Sequence, residues 1–192
     1  KRGYLAPLVA GGATQRLDAS DVRMSGGDFV VSALAQLLDR EELVQACADE
    51  LVTLARDRQR WLVYGVTVAH ATHITEALAE RGIACAMVSA ETPAGERDRI
   101  IRDFRAGRLR APVNVAVLTT GFDVPEVDCI ALLRNTRSPV LYVQIAGRGM
   151  RIADGKTDCL WLDFTDTTAT LGPVDEIKGR SPSKKQSHDA QA

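Results

Sequence analysis

Apolar and polar positions change rhythm along the chain, and the change marks out its elements. Residues 29–39 carry Phe29, Ala33, Leu34, Leu37 and Leu38 at helical spacing, and 41–58 repeat the pattern through Leu43, Val44, Cys47, Leu51 and Leu54. From Trp61 onward, short apolar runs alternate with amphipathic stretches. "WLVYG", "ACAMVSA", "VNVAVLT", "DCIALL" and "TDCLWLDF" predict five buried strands. "HATHITEALAERG" predicts a helix ending at Gly82. "TPAGERDRIIRDFRAG" predicts one capped by Thr92, opened by Pro93 and ended at Gly107. "SPVLYVQIAGRGMR" opens similarly with Ser138 and Pro139. Alternation of this kind implies an α/β fold, a doubly wound, mostly parallel sheet with helices on both faces. Ligands in such sheets gather beyond the carboxyl ends of the strands.

The flanks read differently. Residues 1–27 are glycine-rich and irregular and predict a linker or arm; 28–172 form the domain; 173–192 are polar and predict a disordered tail. The chain starts at Lys1 rather than methionine, as a piece of a longer protein would.

Composition narrows the function classes. A net charge of −1 gives no global attraction to nucleic acid, so any such binding needs a local patch. Cys47, Cys85, Cys129 and Cys159 form no C-x-x-C pair, which argues against a zinc knuckle; three sit in apolar runs as core residues of a reducing compartment. No apolar run is long enough for a membrane span and no signal peptide is evident, so a cytoplasmic location is expected.

Two segments carry candidate chemistry. "TTGFDVPEVD" places Thr119, Thr120, Gly121, Asp123 and Pro125 in the loop after the third strand. A carboxylate there suits a ribose hydroxyl or a catalytic water; a backbone-capping turn explains it equally well. In "QIAGRGMR", a helix over 139–150 would put Arg148 and Arg151 on one face at i, i+3, able to clamp a phosphate. The competing reading is a basic last turn that answers the helix dipole. The nearby "GKT" imitates a P-loop, but five residues separate Gly149 from Gly155, one too many, and the segment follows a helix rather than a strand. "ADGKTD" reads as a tight polar turn. Arginines 97, 99, 102, 105, 108 and 110 form a basic cluster diluted by Glu96, Asp98 and Asp103, read as a solvated helix laced with ion pairs. His70 and His73 read as satisfied first-turn histidines and not as a metal site. Trp61 and Trp161 read as core.

Together these pieces resemble the second RecA-like domain of superfamily 2 helicases and translocases. "NVAVLTTGFDVPEVD" is similar to motif V, "QIAGRGMR" to motif VI, "WLVYGVTVAHA" to motif IV, and "GYLAPL" to the arm leaving the first domain. "NVAVLTTGFDVP" with "DFTDTTATLGPV" most resembles bacterial RadD-like DNA-repair helicases; restriction-enzyme motor subunits are the nearest competitor. The resemblance implies the C-terminal half of an ATP-driven motor. Arg151 would be the arginine finger at the γ-phosphate, Arg148 its partner, Gln144 the bridge to the other domain, and Asp123 the ribose ligand. Gly121, Thr119 and Thr120 would touch the nucleic-acid backbone, DNA being the expected partner. ATP and Mg²⁺ would be held mainly by the first RecA-like domain, so this chain alone would be inactive. Two positions depart from the DEAD-box pattern: Val115 stands where threonine is usual, and Ile145 where arginine is. A RecA-like binding module without motor activity is the alternative.

Overall fold

The computed structural model describes residues 5–115 and 123–177. Eight strands and six helices follow one another: β1 (Leu8–Ala10), β2 (Met24–Ser25), β3 (Asp28–Phe29), α1 (Val31–Leu38), α2 (Glu41–Leu54), β4 (Trp61–Tyr64), α3 (Val68–Glu80), β5 (Cys85–Val88), α4 (Ala94–Arg105), β6 (Ala111–Asn114), β7 (Cys129–Leu132), α5 (Pro139–Gly149), β8 (Cys159–Asp163) and α6 (Thr167–Leu171), among the described residues. Six strands form one sheet in the order β1-β8-β7-β4-β6-β5, and every pair in it is parallel.

Both faces of the sheet are covered, which is why β4, β6 and β7 are buried at every position. Successive side chains point to opposite faces. Trp61, Val63, Cys129 and Ala131 join the core beneath α1, α2 and α3. Leu62, Tyr64, Ile130 and Leu132 join the one beneath α4 and α5. Trp61 and Trp161 are core residues, Trp161 packing edge-on against Tyr142 at 5.5 Å.

The expected cap forms in α5 and not in α4, and α3 has one that was not expected. Ser138 accepts from the Leu141 N–H with Pro139 at the first helical position, and Thr67 accepts from the His70 N–H. Expected as the N-cap of α4, Thr92 instead accepts from the Ser89 N–H. Pro93 therefore takes the cap position, and the helix starts at Ala94. Gly82 and Gly107 do end their helices, at φ +75° and +77°.

The first segment is more structured than an arm. Leu8–Ala10 add an edge strand to β8, and Gly11 has no side chain because Leu160 and Leu162 fill that space. Glu50 of α2 then accepts from the Thr14 and Gln15 N–H groups. Phe29, grouped by periodicity with the first helix, lies instead in a hairpin. Gly26 and Gly27, at φ +61° and +87°, make its two-residue turn. Asp28 of that hairpin accepts from the Thr136 hydroxyl at 2.7 Å and the Arg137 N–H at 2.8 Å. The Asn135 amide donates to the Leu17 carbonyl and to Asp166. Protein thus covers the carboxyl ends of β7 and β8, where the sequence placed the ligand.

Candidate nucleotide and nucleic-acid site

A helix that joins two parallel strands runs from the carboxyl end of the sheet back to its amino end. The last turns of α4 and α5 therefore lie at the amino end. Residues 123–128 pass between these helices on the way to β7, with Val124 and Val127 buried beneath them. Asp123 opens this stretch. Its carbonyl accepts from Nε and Nη2 of Arg105, the final residue of α4, at 3.2 and 2.7 Å. Its carboxylate meets Nη1 of Arg151 in an ion pair. The predicted site residues Asp123 and Arg151 do come together, but at the amino end of the sheet. These two residues do not lie beyond the carboxyl ends as expected, because the crossovers return the ends of α4 and α5 to the amino end.

Helix α5 ends at Gly149, and the Met150 N–H closes its last turn on the Ala146 carbonyl at 3.1 Å. Arg151 lies past the helix, so it and Arg148 do not share a helical face as expected. Gly149 fixes the height of this turn. A Cβ there would sit 2.6 Å from Cys159 Sγ and 2.9 Å from Ile130 Cδ1, so the backbone packs directly on the sheet. Arg148 is half-buried. Burial pushes the Tyr64 phenol up, and the positive charge of Arg148 opposes that shift. Gln144 is exposed one turn before Arg148. The same side of α5 exposes Val140 (68%) and Val143 (41%), and Gly147 has no neighbour within 4 Å of a would-be Cβ. Ile145 is buried in the core beneath α5, which explains why an apolar residue replaces the arginine of the DEAD-box pattern. Thr119, Thr120 and Gly121 lie outside the described residues.

With side chains 38% and 67% exposed, Arg151 and Asp123 form a pair worth only ~0–1 kcal/mol. Such a pair yields readily to a stronger partner. The guanidinium suits phosphate oxygens, and the carboxylate suits a ribose hydroxyl. The donor set thus fits a nucleotide, though it contains no cradle that would hold one alone.

Lys156, read from the sequence as part of a tight polar turn, has a defined set of partners. Gly155, at φ +77°, makes the expected tight turn. The Lys156 ammonium, half-buried, then donates to the carbonyls of Gly149, Arg151 and Pro125 at 2.6, 2.8 and 3.1 Å. Burial lowers its pKa.

The basic cluster is not chiefly a set of solvated ion pairs. Only Arg99–Glu96 and Arg108–Asp103 are such pairs among its described contacts. Arg97 donates to the carbonyls of Ser89, Ala90 and Thr92. Arg110 donates to those of Arg56 and Arg58 while stacking on Trp61. His73 pairs with Asp39. His70 Nδ1 accepts from the Val66 N–H, and its Nε2 is buried without a hydrogen-bond partner. No cluster fit for a metal ion occurs among the described residues. Cys47, Cys129 and Cys159 are buried free thiols. Burial pushes Cys47 and Cys159 up to about 12, which leaves them unreactive.

Residues 42–153 match the helicase conserved C-terminal domain. The chain belongs to that family. It is 32% identical over 149 residues to "Putative ATP-dependent helicase IRC3" of Saccharomyces cerevisiae, covering 77% of this chain and 22% of the relative. It is 34% identical over 111 residues to UvrABC system protein B of Chlamydia trachomatis, covering 55% and 17%. The chain therefore spans about a fifth of these relatives' lengths. Among solved structures, a fragment of a putative HsdR subunit of a type I restriction enzyme from Vibrio vulnificus superposes with a TM-score of 0.68 at 21% identity, covering 90% of this chain and 35% of that one. That likeness carries the RecA-like fold. No helix among the described residues is long and apolar enough to cross a membrane.

Proposed function

We propose that this domain is the second half of an ATP-driven nucleic-acid motor and closes over a nucleotide held mainly, with Mg²⁺, by a first RecA-like domain. The observation that carries the reading is the weakly held Arg151–Asp123 pair beside the exposed, apolar side of α5. A surface with Val140 and Val143 uncovered next to a displaceable guanidinium suits closure by another domain. On closure, Arg151 exchanges Asp123 for the γ-phosphate and Asp123 turns to the ribose. Arg148 supports the same phosphates, and Gln144 bridges the two domains. Phosphoryl transfer needs positioned charge above all, and a finger arginine contributes ~10³–10⁵ in rate.

Thr119, Thr120 and Gly121 grip the phosphate backbone, with little sequence readout. DNA is the substrate this reading favours, since relatives and neighbours include proteins named for the UvrABC system and for a restriction enzyme. A RadD-like role in DNA repair, in the cytoplasm, is the corresponding biological setting.

The test is Arg151→Ala in the intact protein. ATP turnover should fall by at least ~10²-fold while ATP binding largely survives. Near-normal turnover refutes the finger, whereas an unmutated intact protein that turns over no ATP favours a binding module without motor activity. Stimulation of turnover by single-stranded DNA, duplex DNA and RNA, compared side by side, decides the substrate.

A further inference from the structure

We propose that Lys156 is a positioning residue that sets the distance between the arginine finger and the ribose-binding carboxylate; the inference rests on the role given to Arg151 above. An ammonium has three donors and no acceptor. Here three carbonyls from two segments take them all: Gly149, the last residue of α5, and Arg151 itself on one; Pro125, two residues beyond Asp123, on the other. One cation thus ties the backbone behind the finger to the backbone behind the carboxylate.

Local geometry makes this inevitable. Past Gly149 the chain has left the helix, whose last carbonyls have no intrahelical donor. The turn at Gly155, closed by the Lys156 N–H on the Ala153 carbonyl at 3.2 Å, folds the chain back beneath α5 and delivers the ammonium to those carbonyls. Gly149 sits too close to Cys159 for this layer to shift toward the sheet. Lys156 ties it to the stretch at Pro125. The Gly-Lys-Thr stretch that imitates a phosphate cradle therefore holds peptide carbonyls in place of phosphate.

Positioning has a signature distinct from folding. A misplacement of ~1 Å costs up to ~10²-fold in a phosphoryl-transfer geometry, with little change in ground-state binding. In the intact protein, Lys156→Met should lower kcat for nucleic-acid-stimulated ATP hydrolysis by about tenfold or more while KM for ATP moves by less than about threefold. Combined with Arg151→Ala, the same change should lower the residual turnover by less than about twofold, because a residue acting through the finger has nothing left to position. An unchanged kcat in the single variant, or an equal fractional loss in both backgrounds, overturns the proposal. If Lys156→Met does not fold, as judged by circular dichroism, Lys156→Gln replaces it. Its amide can still serve two carbonyls, and the same two-background comparison decides. The two readings fail separately. Turnover that survives Arg151→Ala removes the finger, whereas an inactive Arg151→Ala beside a fully active Lys156→Met removes only the role of Lys156.

Discussion

The two faces of the sheet are built to different ends. Beneath α1, α2 and α3 the chain nearly completes itself, leaving Val31 at the start of α1 exposed. Leu34, Leu38, Cys47, Leu51, Ile74 and Leu78 are almost wholly buried, and the surface charges find partners nearby, Arg81 on Asp49 and His73 on Asp39. The α4–α5 face stops short of that. Its core is also closely packed, yet the outer side of α5 leaves Val140 and Val143 exposed, and Arg151 and Asp123 nearby hold each other through a pair that solvent weakens. A domain that folds alone needs only the first kind of face. The second waits for something to cover it.

The largest expected effect breaks the incomplete face without disturbing the complete one. Arg151→Ala should lower ATP turnover of the intact protein by at least ~10²-fold and leave the melting temperature nearly unchanged, because the lost pair is exposed. A large drop in stability would place Arg151 among the structural residues.

Acid attacks the complete face. Burial holds His70 down at about 4, with the positive side of His73 adding to that and Asp39 opposing it. An unfolded chain protonates this residue near pH 6.5, so stability falls as the pH drops through that value and levels off below the folded pKa. Over that window the cost reaches roughly 3 kcal/mol. Chemical denaturation at pH 7 and pH 4.5 should show it, and His70→Asn should remove most of the difference. An equal acid loss in that variant would assign the effect to the carboxylates.

Two glycines on one helix sharpen the comparison further. Gly149→Ala pushes a methyl against Cys159 and Ile130 and should destabilise by about 1–3 kcal/mol. Gly147→Ala meets nothing and should stabilise the 192-residue chain by about 0.5–1 kcal/mol through helix propensity. Thermal melts of the two variants with the same sign would contradict the assignment of an inner and an outer side.

The central strands were legible as continuous apolar runs, although β6 starts two residues before the expected run and includes Pro112; Ser138-Pro139 announced α5 directly. β1 was not. Its three residues are half-exposed at the sheet edge, and pairing with β8, distant in sequence, decides their state. Phe29 sits at a helical distance from Ala33, and only the Gly26-Gly27 turn signalled a hairpin. Of the site, the residue types Asp123 and Arg151 were visible, but their place on the sheet was not. That place is set by the crossovers, which return the ends of α4 and α5, and with them Asp123 and Arg151, to the amino end of the sheet. Lys156 was hidden because its acceptors are backbone carbonyls, which carry no side-chain signature.

The most direct measurement of closure uses a single cysteine on the exposed side of α5. Val143→Cys in the intact protein, with Cys85 and any exposed cysteine outside this chain replaced by serine, leaves one accessible thiol for a maleimide. Without nucleotide it should react as an exposed thiol. With a non-hydrolysable ATP analogue and single-stranded DNA, labelling should slow at least ~10-fold, because a closed state hides the site from reagent. A rate that stays the same with and without nucleotide would show that α5 is never covered, and the account of this face as half of a nucleotide site would be wrong.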